Sequence, residues 1–205
     1  MRNHLRFVVL AALVASGVSC SSALRQSRSP VLLVVDSLQG ASGGGFQANT
    51  FKGTLFSDVI VLLRSPTPCT DTNPCPTYYS DSGQVTLSSV AKNSTVTPSE
   101  INAVTITRYH VDFERADGRN TPGVDVPYGF DGAVTGTIPG GGSASLTFEL
   151  VRHTSKLEAP LVQLVNSSAI IHTIAKVTFY GRDLAGNDIS VAGSMSVDFG
   201  NFGDQ

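Results

Sequence analysis

One stretch of the chain gathers the side chains that acid–base or metal chemistry needs. In residues 103–115 (AVTITRYHVDFER), Arg108, His110, Asp112 and Glu114 recur at every second position. On an extended strand, whose side chains alternate between faces, this spacing sets an imidazole and two carboxylates side by side. Such a row can bind a metal or pass a proton. It is also what the wet face of a half-buried strand carries when Tyr109, Val111 and Phe113 point the other way, and the mixed charges favour that ordinary reading. The row defines one alternative for the whole protein: a soluble periplasmic or secreted molecule with a metal-binding or hydrolytic site around His110 and Asp112. That site would need those side chains, or His153, to converge in a concave pocket.

Other arrangements carry less chemistry. Ser89 and Lys92 have the Ser-x-x-Lys spacing of penicillin-binding proteins, but that motif needs a helix to place Lys one turn from Ser, and this segment follows an alternating pattern with no Lys-Thr-Gly elsewhere. No Gly-x-Ser-x-Gly elbow, His-x-His, His-Glu-x-x-His or Cys-x-x-Cys occurs. Asp183, Asn187 and Asp188 offer oxygens to calcium, yet they are the residues a tight turn demands in any case. Asp71, Asp81, Asp125 and Asp131 lie in predicted loops without EF-hand spacing. We assign no catalytic residue, no cofactor and no metal ligand, and an enzyme is the minority reading.

Cys69 and Cys75 enclose Thr-Asp-Thr-Asn-Pro, and the Asn-Pro favours a turn that brings the thiols together. A disulfide is the expectation, and closing so short a loop contributes about 2 kcal/mol in the chain-entropy model. The rival, a redox or metal pair, lacks both the Cys-x-x-Cys spacing and a nearby His. The candidate ligand-contact loop is residues 115–130 (RADGRNTPGVDVPYGF), long for a connection without structure of its own. Its Tyr128 and Phe130 can stack on a sugar ring or anchor a partner protein, while the commoner role of such aromatics is to fold back and plug the end of the domain.

The elements that position these residues are short strands. Residues 31–36 and 54–63 are apolar, β-branched runs; residues 40–45 (GASGGG) are too flexible to lie inside an element; residues 65–82, rich in Pro, form a crosslinked loop. Residues 84–90, 143–150, 174–180 and 190–199 alternate apolar with polar. In residues 103–115 the apolar phase changes between Ile106 and Tyr109, which predicts a bulge near Thr107 or Arg108. Thr97-Pro98-Ser99-Glu100 predicts a corner of about one helical turn. Short alternating strands separated by Gly, Pro, Asn and Asp, with no βα alternation, predict an all-β fold, an antiparallel β-sandwich in residues 31–205 as a single domain.

Composition limits the partners. Charged residues make up 15% of the chain against a typical value of about 25%, and a net charge of −2 leaves no basic footprint for nucleic acid. Residues 1–19 read as a signal peptide: Arg2 and Arg6, then an apolar run, then Ser16, Gly17 and Ser19. The run falls short of the roughly 20 apolar residues that span a bilayer as a helix.

Two resemblances add to this. Gly17-Val18-Ser19-Cys20 resembles the lipobox of bacterial lipoproteins, with Ser19 fitting and Gly17 standing where Leu is usual. The resemblance implies lipidation of Cys20 (the palmitate of a lipoprotein) as the new N-terminus, residues 20–30 as a tether, and, with Ser21 next, the outer membrane. Removing Cys20 from the thiol pool leaves Cys69 and Cys75 to pair. The alternative is an ordinary export signal cut after Ser19, with Cys20 incidental. At the other end, Asp183-x-Ala185-Gly186-Asn187 is similar to the turn of the final hairpin in bacterial Ig-like and fibronectin-III-like domains, over some thirty residues. This implies an Ig-like sandwich and no ligand. The expectation is an exported, lipid-anchored envelope protein, a binding or structural module whose partners are the membrane and an envelope protein or carbohydrate.

Overall fold

The computed structural model of the chain describes residues 28–203. The expected signal peptide, residues 1–19, and Cys20 lie outside the described residues. Ten strands follow in order: β1 (Val31–Ala41), β2 (Thr54–Asp58), β3 (Val61–Leu63), β4 (Cys75–Thr77), β5 (Asp81–Ala91), β6 (Val104–Glu114), β7 (Phe130–Ile138), β8 (Ser143–Val151), β9 (Ile171–Asp183) and β10 (Asp188–Gly200). A 3-10 turn (Glu100–Asn102) precedes β6, and a helical turn α1 (His153–Lys156) and a second 3-10 turn (Leu161–Leu164) join β8 to β9.

The alternation in sequence becomes inside and outside. β5 buries Val85 and Leu87, β8 buries Leu146, Phe148 and Leu150, and these face Ile106, Tyr109, Val111, Val177 and Phe179 from the other sheet. Tyr109 and Phe148 approach at 4.9 Å between ring centroids, and Phe148 meets Phe179 edge-on at 5.2 Å, so the core is held by interlocked aromatics. The two sheets run β1-β5-β8 and β2-β10-β9-β6-β7, with β3-β4 as a separate hairpin. The chain crosses between the two sheets after β1, β5, β7 and β8, the Greek-key path of an Ig-like β-sandwich.

One pairing departs from the antiparallel expectation. β2 lies parallel to β10, Leu55 opposite Val197 and Ser57 opposite Phe199. Residues 42–53 carry the chain back beside β1, bridging Gly40 to Lys52, so that β2 sets off again in the direction of β1. The predicted single strand over 54–63 is therefore two: β2 joins the large sheet, and the chain turns at buried Val59 and Ile60 before β3. Gly40 also proves to be a strand residue. A Cβ there would sit 3.0 Å from Leu55 Cβ and from Met195 Cε, so the bare backbone is what lets the two sheets close.

The predicted bulge is present. Both pairings of β6 shift register between Ile106 and Arg108: against β9 Thr107 is the extra residue, while against β7 the extra residue is on β7, where Val134 and Thr135 oppose Thr107, and Tyr109 returns to the core. The 3-10 turn is the predicted corner, capped at Ser99 rather than Thr97, with Ser99 N–H donating to Asn102 Oδ1 at 3.0 Å. Strand register defines two ends of the sandwich. The entry end holds Val31, Ala91, Val104, Ile138 and Asp183; the far end holds Ala41, Asp58, Asp81, Val151, Ile171 and Gly200.

Candidate functional site

The row on β6 lies on the outer face of the five-stranded sheet. Register places His110 opposite Asp131 of β7 and Arg108 opposite Tyr180 of β9. His110 Nε2 is 3.1 Å from Asp112 Oδ2, and Nδ1 is 3.2 Å from Asp131 Oδ1. The Arg108 guanidinium lies over the Tyr180 ring at 3.9 Å and reaches Asp131 at 3.3 Å, while Glu114 receives Lys176 Nζ at 2.9 Å. Each ring nitrogen of His110 thus faces its own carboxylate, a bridging arrangement that leaves neither nitrogen aimed at a shared point. Among the described residues no three His, Cys, Asp or Glu side chains are grouped to hold a metal. His153 begins α1 and is exposed on a different element.

A hollow of about 460 Å³ opens on the same face over the bulge, lined by Thr107, Arg108, Tyr180, Arg182, Asp188 and Ser190 among others, with His110 and Asp112 outside its lining. The acid–base candidates and the concavity do not coincide. What the face offers chemically is a planar cation on a phenol ring beside a second guanidinium, Arg182, which is held by Asp188 at 2.7 Å.

The loop between β6 and β7 divides its aromatics. Phe130 is buried as the first residue of β7, edge-on to Tyr109 at 6.2 Å and covered by the Arg152 guanidinium at 4.0 Å. It plugs the far end, the commoner of the two roles, and leaves Tyr128 as the exposed aromatic of the pair. Tyr128 is 56% exposed, but its ring lies against Gly123, whose missing side chain makes room for it. The start of the loop is fixed by Asp117, clamped by Arg115 at 2.6 Å and Arg119 at 2.9 Å; the Arg115 hydrogen bond chiefly holds its carboxyl well below the usual range.

The remaining candidates resolve into structural parts. Both oxygens of Asp183 serve the β9–β10 turn, accepting Asn187 N–H at 2.8 Å and Asn187 Nδ2 at 2.9 Å, and Gly186 takes φ +83° beside them. Burial works against the charge on Asp183, and the hydrogen bonds from Asn187 and Ser29 outweigh it, so its pKa is lowered. Ser89 points into the core from β5, and Lys92 lies exposed beyond the strand. Cys69 and Cys75 are joined as a disulfide, and Thr70 and Asn73 exchange backbone hydrogen bonds inside the loop it closes.

Sequence reasoning missed the most deeply buried charged side chain among the described residues. Lys156 is 0% exposed, and its Nζ donates to Asp81 Oδ1 at 3.0 Å and to the Asp58 carbonyl at 2.8 Å. Asp81 also accepts Ser57 Oγ at 2.6 Å and Gly43 N–H at 3.0 Å. The cluster ties α1, β2, β5 and the glycine-rich loop together at the far end. Asp81, a loop carboxylate by its sequence surroundings, is instead the first residue of β5, and nothing around Lys156 in sequence marks it.

No family profile matches the chain, and no curated protein matches it. Among solved structures, the chain is similar to a solution structure of a candidate late embryogenesis abundant (LEA) protein. The alignment has 13% identity and a TM-score of 0.36, and it covers 94% of this chain and 86% of the other.

Proposed function

We propose that this protein is an exported, lipid-anchored β-sandwich of the bacterial envelope, held at the outer membrane through Cys20 and acting as a binding or structural module. The observation that carries the reading is the cysteine inventory. Of three cysteines, Cys69 and Cys75 are spent on each other, and a disulfide of this kind persists in oxidising compartments. The third, Cys20, stands directly behind a basic and apolar leader and a small residue. A lipid there accounts for the odd thiol. The wet sheet face supports a binding or structural role over a hydrolytic one, because His110 is bridged between carboxylates and lies outside the hollow.

Intact mass spectrometry of protein from the membrane fraction of its native host, before and after reduction and alkylation, tests this. The expected mass is that of residues 20–205 plus acyl chains, with the Cys69 and Cys75 thiols alkylated only after reduction. An unacylated soluble fragment overturns the anchor and moves the search to soluble partners.

A further inference from the structure

At the entry end, neighbouring loops hold large aliphatic side chains out in solvent. Val96 in the β5–β6 loop is 53% exposed, Ile101 on the 3-10 turn 63%, and Leu184 on the β9–β10 turn 65%. Beside them Leu32 and Val90, opposite each other in the β1–β5 register, are exposed on the outer face of the small sheet. These side chains stand on fixed supports. The β7–β8 turn presses on the β5–β6 loop, where the bare backbone of Gly140 meets the Ser99 carbonyl, and Leu184 rides on the turn locked by Asp183. The chain enters the domain at the same place: Lys92 N–H donates to the Pro30 carbonyl at 2.9 Å, and the Ser29 hydroxyl bonds to Asp183.

Reach decides what this end faces. From Cys20 to Ser29 the chain extends at most about 30 Å, at roughly 3.3–3.6 Å per residue. The sandwich is longer than that, since β9 alone (13 residues) runs about 40 Å at roughly 3.3 Å per residue. A lipid on Cys20 therefore keeps the entry end within about 30 Å of the bilayer and rules out an upright domain standing on its far end. From this we infer that the entry end is a membrane-contact surface, with Val96, Ile101 and Leu184 inserted at the headgroup–acyl boundary of the bilayer that carries the anchor. The inference rests on the lipid-anchored reading. Three aliphatic side chains bind a bilayer weakly alone; the anchor makes their insertion an intramolecular event at high effective concentration. Exposed Arg28 and Lys92 flank the patch and suit an anionic headgroup layer; against them stand Glu100 in the β5–β6 loop and, in the turn that carries Leu184, Asp183, whose oxygens are met by Asn187 and Ser29, and Asp188, which is paired with Arg182.

The chain contains no tryptophan, so one introduced Trp reports its own surroundings. Ile101→Trp, Leu184→Trp and, at the far end, exposed Val124→Trp are prepared as acylated protein, the acyl mass being verified first. They are then reconstituted in phosphatidylethanolamine–phosphatidylglycerol vesicles containing brominated acyl chains. Insertion by about 5–10 Å predicts a blue-shifted emission, quenched by bromine and shielded from aqueous acrylamide, at 101 and 184 and not at 124. Acylated protein in which all three positions are equally open to acrylamide overturns the contact surface while leaving the anchor standing. Absence of an acyl mass overturns the anchor and the contact surface with it.

Discussion

Lys156 shows how much one residue carries here. An ammonium removed from water is costly unless charge and hydrogen bonds meet it, and Asp81 and the Asp58 carbonyl do so. Replacing only the cation strands a buried carboxylate. Lys156→Met is expected to lower stability by about 3–5 kcal/mol, read as a fall in the urea midpoint at unchanged slope; an unaltered midpoint would show the pair to be dispensable. Asp183 gives a second, pH-dependent expectation. Its folded pKa lies below its unfolded value, so the stability it contributes is complete above the ordinary aspartate pKa of about 3.9 and is lost as pH falls through the folded value. Denaturation curves of Asp183→Asn against the parent should therefore converge as the pH is taken down below about 4, with the difference largest near neutrality. A gap that stays constant with pH would assign the effect to turn geometry alone.

At the scale of elements, the segments whose alternation was unbroken were legible: β5, β8, β9 and β10, and even the Thr107 bulge, because a phase change in the apolar pattern has no other simple cause. β7 was not. Its inward positions run Phe130, Gly132, Val134, Gly136, Ile138, and the two glycines erase the period. They stand where Tyr109 and Leu146 fill the space, so that a Cβ on Gly132 would collide with the Tyr109 ring and one on Gly136 with Leu146 Cδ2. The apolar mass belonging to that strand is supplied by its neighbours. The helical turns between β8 and β9 were illegible for a similar reason, since Leu161 and Leu164 are too few to show a helical period. The β3–β4 hairpin gives the expectation proper to this scale. Because its crosslink closes a short loop in a separate two-stranded sheet, Cys69→Ser with Cys75→Ser should cost at most about 2 kcal/mol. Hydrogen exchange should rise in residues 64–77 while β9 and β10 stay protected; loss of protection throughout would make the hairpin part of the central fold.

For the whole molecule, the sandwich was readable and the candidate chemistry was not, because alternation is a property of one strand while a site is a property of several. His110 could be placed beside Asp112 from spacing alone, but Asp131, its other neighbour, comes from a strand the glycines concealed. Lys156 and Asp81 meet across 75 positions of chain. The strand order has a mechanical consequence. The chain comes in through β1 at the entry end, and β10 leaves at the far end, flanked by antiparallel β9 and parallel β2. A pull along the long axis, applied at the start of β1 and the end of β10, loads the β1–β5 and β2–β10 hydrogen bonds lengthwise. They must give way together in shear, where a peeling load would open them one at a time.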